Sequence, residues 1–250
     1  MGEMKKIVIV GATSHIAEHC ARLWAQGGPA HLVLVGRNLP RLEVIAQDLR
    51  VRGGQVVVET RGVDLASPAA IAELVRELEA LGAIDIALIA HGSLPDQAAC
   101  QADLAMAAEA LSVNAVSPVL FAEALAGAMQ RAGRGALAII GSVAGDRGRK
   151  SNYVYGAAKG LVDRYAQGLQ HRLVGTGVTV TLVKPGPTDT PMTAHLKQQG
   201  AKLADADAVA KDIVEGIAAG RAEVYTPRKW ALIMAVIRNL PRPVFHRMNI

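Results

Sequence analysis

The 250-residue chain reads as an α/β protein of one domain, with a doubly wound parallel sheet covered by helices on both faces. Three observations carry that reading. Short apolar runs alternate with helical patterns along the whole length, and right-handed crossovers turn that order into a parallel sheet. About half of the residues (51%) are apolar and only 3% are aromatic, so small Ala, Gly and Val dominate, as close packing of helices on a two-faced sheet requires. The first strand runs through a small-residue turn directly into a helix, a local arrangement that favours a phosphate.

Lys5 to Val10 is the first strand, and Gly11-Ala-Thr-Ser-His-Ile-Ala17 leads into a helix through Trp24. Free N–H groups and the macrodipole at that helix start attract an anion. His31 to Val35 is the second strand, ending in Gly36-Arg37-Asn38; Leu39 to Arg52 is a helix with Leu42, Ile45, Ala46 and Leu49 on one face. An NAD site wants an acid after the second strand for the ribose 2′-hydroxyl, whereas an arginine accommodates a 2′-phosphate. No acid follows before Glu43, so Arg37, with the Ser14 hydroxyl, points to NADP(H); otherwise Arg37 is a solvated loop charge.

Gln55 to Thr60 is the third strand, and Val63-Asp64-Leu65 follows it. Ser67 caps and Pro68 opens a helix through Leu81. Ile84 to Ile89 is the fourth strand, closed by Ala90-His91-Gly92. Asp103 to Arg131 reads as one long helix. Asn114 inside it is disfavoured because its amide competes with the backbone, which suggests a purpose or a buried hydrogen-bonded amide. Ala136 to Ile140 is a strand, Tyr153 to Gly175 a helix and Val178 to Val183 a strong β run. Lys184-Pro-Gly-Pro-Thr-Asp-Thr190 lies at that strand's carboxyl end, where open α/β sheets bind ligands. Pro191 to Leu203 is polar and poorly patterned, a lid candidate. Asp205-Ala-Asp207 caps a helix to Gly220, and Ala222 to Tyr225 is a last edge strand.

The chemistry concentrates between Ser142 and Lys159. Tyr155 and Lys159 stand at i,i+4, which places phenol and ammonium on one helix face. A cation that close favours phenolate and is expected to pull the tyrosine below its ordinary pKa, making it a usable general acid or base. Ser142, thirteen positions before Tyr155, is placed to hydrogen-bond the same substrate oxygen.

Ser142, Tyr155 and Lys159, with Asn114 upstream, resemble the catalytic tetrad of the short-chain dehydrogenase/reductase family. That resemblance implies a Rossmann-type sheet of seven strands, hydride transfer between nicotinamide and a carbonyl or secondary alcohol, and assembly into dimers or tetramers. It implies that Asn114 holds a water linking Lys159 to solvent. Gly11, Thr13, Ser14, His15 and Ile16 of the first turn, then Arg37, Asn38, Asp64 and Leu65, correspond to the family's cofactor contacts. So do Ala90, His91 and Gly92, Tyr155 and Lys159, and the Pro185, Gly186, Thr188 and Thr190 segment that cups the nicotinamide. Gly36 stands where NAD-dependent members carry Asp. Asp64 matches an adenine-contacting aspartate, and a structural turn aspartate is the other reading. The chain departs from the family in two places. The first turn keeps only Gly11 of three glycines, with His15 and Ala17 at the others, and His15 either lines the pyrophosphate or points to solvent. The usual Asn-Asn-Ala-Gly run is reduced to Ile89-Ala90-His91-Gly92, keeping the last glycine. Those missing glycines make a catalytically silent dinucleotide-binding regulatory or scaffold protein the alternative class.

The net charge of +5 and isoelectric point near 9.4 suit an anionic cofactor, substrate or membrane surface. Nucleic acid is disfavoured, because the chain has no aromatic-studded basic stripe. Cys20 and Cys100 make no framework, so a reducing, cytoplasmic setting is expected, with both buried and no metal bound. Met1 to Lys6 is too short for a secretory signal, and no apolar run reaches about 18 residues. Residues 1–226 form the expected Rossmann domain and 227–250 a basic amphipathic tail. That tail carries Arg228, Lys229, Arg238, Arg242 and Arg247 and no acid. Either Trp230 and the apolar run to Ile237 lie peripherally on the inner face of a membrane, bringing the pocket to a lipid-borne substrate, or Trp230, Leu232, Ile233 and Ile237 pack on protein. The turn and tail also look like relatives that reduce keto-sugars on polyprenyl phosphates; a lipid-linked or a small soluble carbonyl is therefore expected as substrate.

Overall fold

A computed structural model describes residues 4–248; the first residues of the leader reading and the last two of the tail lie outside the described residues. The strands are β1 (Lys5–Val10), β2 (Ala30–Gly36), β3 (Val56–Gly62), β4 (Ile86–Ile89), β5 (Gly135–Ile140), β6 (Val178–Pro185) and β7 (Glu223–Thr226). They form one parallel seven-stranded sheet in the order β3-β2-β1-β4-β5-β6-β7. The order reverses between β1 and β4, which opens the crevice where such sheets bind ligands.

Side chains alternate across this sheet, as the period of two demands. Val8 and Val10 face α3 (Pro68–Ala80), α6 (Ser117–Ala132) and α7 (Tyr153–Arg172), where Ile71, Leu78, Phe121, Leu125 and Val162 are buried. Ile7 and Ile9 face α1 (His15–Gln26), α2 (Leu39–Arg52) and α9 (Ala206–Ala218), with Ala17, Ala21, Leu42, Val209 and Ile213. Both faces are therefore dry. Cys20 and Cys100 are free and buried. The expected caps form: Ser67 accepts from the Ala70 amide and Asp205 from the Ala208 amide.

The expected long helix from Asp103 is interrupted. After a short α4 (Gln97–Ala102) come α5 (Leu104–Leu111) and a π turn over Ser112–Val116, and only then α6. Asn114 sits in that turn, fully buried, and donates from Nδ2 to the Ala110 carbonyl. The amide thus competes with the backbone as expected, and the helix accommodates it by bulging rather than breaking. Leu104–Ala132 is also long and apolar enough to cross a membrane by composition, which counting uninterrupted apolar residues overlooks; its Phe121, Leu125 and Met129 face is core.

The lid segment folds into α8 (Ala194–Gln198) after a single turn at Pro191–Thr193. The tail forms α10 (Lys229–Asn239) and α11 (Arg242–Phe245). Arg147, from the loop after β5, staples it down: Nη1 donates to the carbonyls of Ile237 (2.5 Å) and Leu240 (2.8 Å), and the guanidinium lies 3.8 Å over the Phe245 ring. An arginine on the last carbonyls of a helix answers both their unpaired lone pairs and the negative end of the dipole. Met234 is buried and Trp230 and Ile237 turn inward, whereas Leu232, Ile233 and Val236 are exposed. Trp230 and Ile237 thus face protein, and Leu232 and Ile233 do not.

Candidate active site

The carboxyl ends of β1, β4, β5 and β6 bring the four tetrad residues to one pocket, lined also by Leu94, Met192, Leu196 and Trp230. Ser142 closes β5 in extended backbone, and its Oγ accepts from the Ala144 amide at 3.1 Å. The Ser142 hydroxyl hydrogen is thereby left to donate outward, and it acts on the Tyr155 phenol. Tyr155 stands in the first turn of α7, where Gly156 allows the helix to press on the Ala144 carbonyl; a Cβ at Gly156 would lie 3.0 Å from that oxygen.

The expected electrostatics of the Tyr155–Lys159 pair do not hold. Burial is the largest influence and pushes the phenol above its ordinary value, while Ser142 and Arg149 pull it down; Lys159 is not among the causes. One helical turn places the ammonium over the ring, 5.8 Å from its centroid, and Nζ donates to the Ile140 carbonyl at 2.8 Å. Burial in turn brings Lys159 down to about 8, with Asp163 opposing. The cation that the phenol feels is Arg149, in a basic run between Ser142 and Tyr155 that sequence reading passed over.

Asn114 joins this group through its loop contacts. Its Oδ1 accepts from the Ser93 amide at 2.9 Å and Nδ2 reaches Ser93 Oγ at 3.2 Å. Gly92 lies between Asn114 and Lys159: a Cβ there would meet Asn114 Oδ1 at 2.8 Å and Lys159 Nζ at 3.7 Å. Both amide hydrogens are engaged, whereas Oδ1 keeps a second lone pair that can accept from the expected water.

A second cleft adjoins the pocket and is lined by Gly11, Thr13, Ser14, His15, Ile16, Arg37, Asn38, Asp64, Leu65, His91 and Gly92. Gly11 has φ +78°, and a Cβ on it would lie 2.5 Å from the His91 amide nitrogen. Only glycine fits. Arg37 is exposed and points no charge at any carboxylate among the described ion pairs. Asn38 spends its Oδ1 on the Arg41 amide as the cap of α2, so its part in the cleft is confined to the rest of the residue. Asp64 accepts from the Ala66 amide through Oδ1 and still lines the cleft, so the turn role and the cleft position coexist. Leu65 is buried and contributes its carbonyl to Ser117 Oγ at 2.5 Å. Ala90, also buried, donates its amide to the Val10 carbonyl at 2.8 Å and so locks β4 to β1.

His91 has a definite tautomer. Ser117 gives its hydrogen to Leu65, so His91 Nε2–H must donate to Ser117 Oγ at 2.8 Å, leaving Nδ1 as a bare acceptor. That Nδ1 is buried and unpartnered. Burial, with Lys159 and Arg37, lowers the ring to about 3, so it stays neutral. His15 does not simply face solvent: its Nε2 lies 3.2 Å from His19 Nε2, and His19 pairs with Asp207 on α9.

Across the pocket, Thr188 Oγ1 donates to the Gly186 carbonyl at 3.0 Å, and Thr190 Oγ1 lies 3.2 Å from Thr193 Oγ1. Pro185 ends β6, and a Cβ at Gly186 would run into the Trp230 indole nitrogen. Beneath this floor sits a buried charge cluster. Lys184 Nζ contacts Asp146 (2.7 Å), Asp163 (2.9 Å) and Glu223 (2.7 Å). Burial opposes the ammonium, but those partners hold its pKa well above the usual value. Burial pushes Asp163 up to about 6, with Lys184 pulling the other way. The cluster ties the Ser142 loop, α7, β6 and β7 together. Sequence reading singled out Trp230 and passed over Lys184 at the head of its segment, and neither role was legible because their partners are remote in the chain.

Residues 5–201 match the family described as short chain dehydrogenase. An uncharacterised oxidoreductase of Mycobacterium tuberculosis is 38% identical over 245 residues, 97% of this chain and 96% of that protein. A sulfoacetaldehyde reductase of Chromohalobacter salexigens is 34% identical over 209 residues, 82% and 81% of the two chains. Among solved structures, a short-chain dehydrogenase from Sphingobium yanoikuyae in complex with NADPH superposes with a TM-score of 0.82 at 25% identity, covering 96% of this chain and 97% of that one.

Proposed function

Because the chain belongs to the short-chain dehydrogenase family of oxidoreductases, we propose that it is an NADP(H)-dependent reductase of a carbonyl substrate, run reversibly with the corresponding secondary alcohol. The observation that carries the reading is the convergence of Ser142, Tyr155 and Lys159 on one pocket that opens beside the Gly11 to Arg37 cleft. The cleft suits a dinucleotide in three respects: Gly11 lets backbone approach closely, His91 Nδ1 offers a buried acceptor for a ribose hydroxyl, and Arg37 offers an uncommitted cation for a 2′-phosphate. The NADPH complex of the Sphingobium protein supports the same choice.

Bound NADPH would supply a hydride to the carbonyl carbon. Tyr155 gives its proton to the carbonyl oxygen, and Ser142 donates a hydrogen bond to the same oxygen as charge develops. Arg149 stabilises the phenolate that remains. Lys159 holds the ribose side of the cofactor and starts the path by which Tyr155 regains a proton; Asn114 serves that path by holding a water, for which Oδ1 keeps an acceptor lone pair. Pro185, Gly186, Thr188 and Thr190 form the floor under the nicotinamide. The assembled tetrad argues against a silent scaffold.

Arg37→Asp tests the cofactor. The carboxylate repels a 2′-phosphate and accepts from a 2′-hydroxyl, so the ratio of NADPH to NADH dissociation constants, read by cofactor fluorescence, is expected to rise by about 10²-fold. An unchanged ratio would place the phosphate elsewhere.

The substrate proposal extends to lipid-linked carbonyls, such as keto-sugars, as well as small soluble ones. Its support is the tail: Leu232 (73% exposed), Ile233 and Val236 form an apolar face beside exposed Lys229, Arg238 and Arg242, a combination suited to the inner face of an anionic membrane. We therefore place the protein in the cytoplasm with peripheral membrane contact, residues 1–226 forming the Rossmann domain and 227–250 the contact tail. Trp230 is not the headgroup anchor, because it faces the pocket. Leu232→Glu with Val236→Glu is expected to abolish co-sedimentation with phosphatidylserine vesicles; undiminished binding would reject the contact. Exposed Leu104, Leu111, Val116 and Leu161 on α5 to α7 support a homodimer or homotetramer.

A further inference from the structure

The wall of the Tyr155 pocket contains two side chains that proton delivery leaves unsatisfied. Arg149 is partly buried, and its Nε is enclosed without a hydrogen-bond partner. Among the described residues no carboxylate forms an ion pair with it, and the Tyr155 phenol favours its charge. The other bases of that loop have clear employment: Arg147 is bound to the tail carbonyls, and Lys150 is exposed. Asn152 presents an equally buried, unpartnered Oδ1 to the same pocket. Enclosed donors and acceptors without partners are costly, and an enclosed cation more so, unless a ligand completes them.

An influence on Tyr155 accounts for the charge of Arg149 but not for its idle Nε donor, nor for Asn152. The cofactor is not the missing partner either. Neither residue lines the cleft that holds Gly11, Arg37 and Asp64, and both line the pocket opposite the apolar wall of Leu94, Met192, Leu196 and Trp230. Arg149 also borders an outer depression with Lys150, Phe245 and His246, so a group bound to it has a route to the basic tail.

We propose that Arg149 and Asn152 form an anion subsite, which takes a phosphate, sulfonate or carboxylate carried by the carbonyl substrate, with Asn152 accepting a hydroxyl of the same molecule. The proposal rests on the reading of this pocket as a carbonyl-reduction site and specifies the substrate class: a hydroxylated carbonyl compound bearing a negative group, its apolar part against Trp230. The guanidinium fork matches such oxygens.

The test is calorimetric titration of the full chain, saturated with NADP⁺, using butyl phosphate, decyl phosphate and butanol as probes. Both phosphates are expected to bind and butanol not to. Arg149→Met should weaken both phosphates about tenfold or more; Asn152→Ala should leave these two probes, which have no alcohol hydroxyl, unchanged and weaken glycerol phosphate by less than Arg149→Met does, since a neutral bond is worth less than a charged one. Arg149→Lys, which keeps the charge but loses the fork, should fall between and guards against a folding defect in the methionine variant. Decyl phosphate binding far more tightly than butyl phosphate identifies a lipid-borne anion, and equal affinities a soluble one. Failure of the wild type to bind either phosphate, or equal affinity in wild type and both Arg149 variants, overturns the subsite. Phosphate binding that depends on Arg149 in a chain that binds neither NADPH nor NADH by cofactor fluorescence would remove the reduction reading and leave the subsite standing; NADPH-dependent carbonyl turnover with phosphate affinities indifferent to Arg149 would do the opposite.

Discussion

Tyr155→Phe is expected to lower the turnover of ketone reduction by about 10³-fold while the NADPH dissociation constant changes less than about threefold. The substitution removes one oxygen and leaves the ring, the helix start and the Gly11 cleft in place. The lost function is the proton that meets the developing alkoxide, a group that acts mainly in the transition state, so the loss falls on kcat. Tyr153→Phe, altering an exposed phenol two residues earlier, is the control and should leave turnover unchanged. The pH profile separates the groups further. Reduction needs Tyr155 protonated, and burial keeps it so beyond its ordinary range. Lys159 is a base brought down to about 8, so its charge is present below that pH and lost above it. The profile of kcat/KM should therefore be flat through neutrality and fall above about pH 8, ahead of the phenol. His91, lowered to about 3, contributes no limb. Retention of full turnover by Tyr155→Phe would remove the tyrosine from its role.

Lys184→Met is expected to cost about 3–5 kcal/mol of stability, seen as a melting temperature lower by roughly 10 °C. The methionine fills the ammonium's channel with similar bulk but leaves Asp146 and Asp163, buried at 2% and 7% exposure, facing each other and Glu223 without a cation. Removing one partner of a buried ionic cluster is far worse than removing the whole of it. Adding Asp146→Asn and Asp163→Leu to Lys184→Met should accordingly restore most of the loss. The sign of the pH dependence is a second check. In Lys184→Met, Asp163, which burial already holds above its ordinary value, loses its cation, so its penalty is present above the folded pKa and relieved as pH falls. The variant should thus gain stability on acidification from pH 7 to 5. A melting temperature within two or so degrees of wild type would mean that water, not Lys184, satisfies these acids.

Sequence periodicity was enough for the sheet. Strands such as Lys5–Val10 and Val178–Pro185 are apolar on both faces and are separated by helices with one apolar stripe, and only a parallel sheet covered on both sides buries them all. Local signals also placed the caps at Ser67 and Asp205 and the break at Pro68, because those interactions span only a few residues. The long helix was legible as a helix but not as a bulged one, since whether Asn114 breaks the ladder depends on the Ser93 loop that receives its amide.

The site divides in the same way. Ser142, Tyr155 and Lys159 could be picked out by spacing, because a strand end and a helical turn fix their relative positions. How they act on each other could not. An i,i+4 separation states that two side chains share a helix face; it does not state which end of a phenol an ammonium reaches, nor how much water both have lost. Folding placed Lys159 over the ring, put Arg149 in the role expected of it and raised the phenol through burial. Trp230 entered the pocket from a tail 44 residues beyond Gly186 because Arg147 anchors that tail. Chain order alone determined the fold class and which residues meet at the ends of the strands, since backbone geometry and apolar pattern are local quantities. Charge states, the tautomer of His91 and the walls of the pocket were decided only in three dimensions, since desolvation and Coulomb forces depend on neighbours that the chain brings from afar.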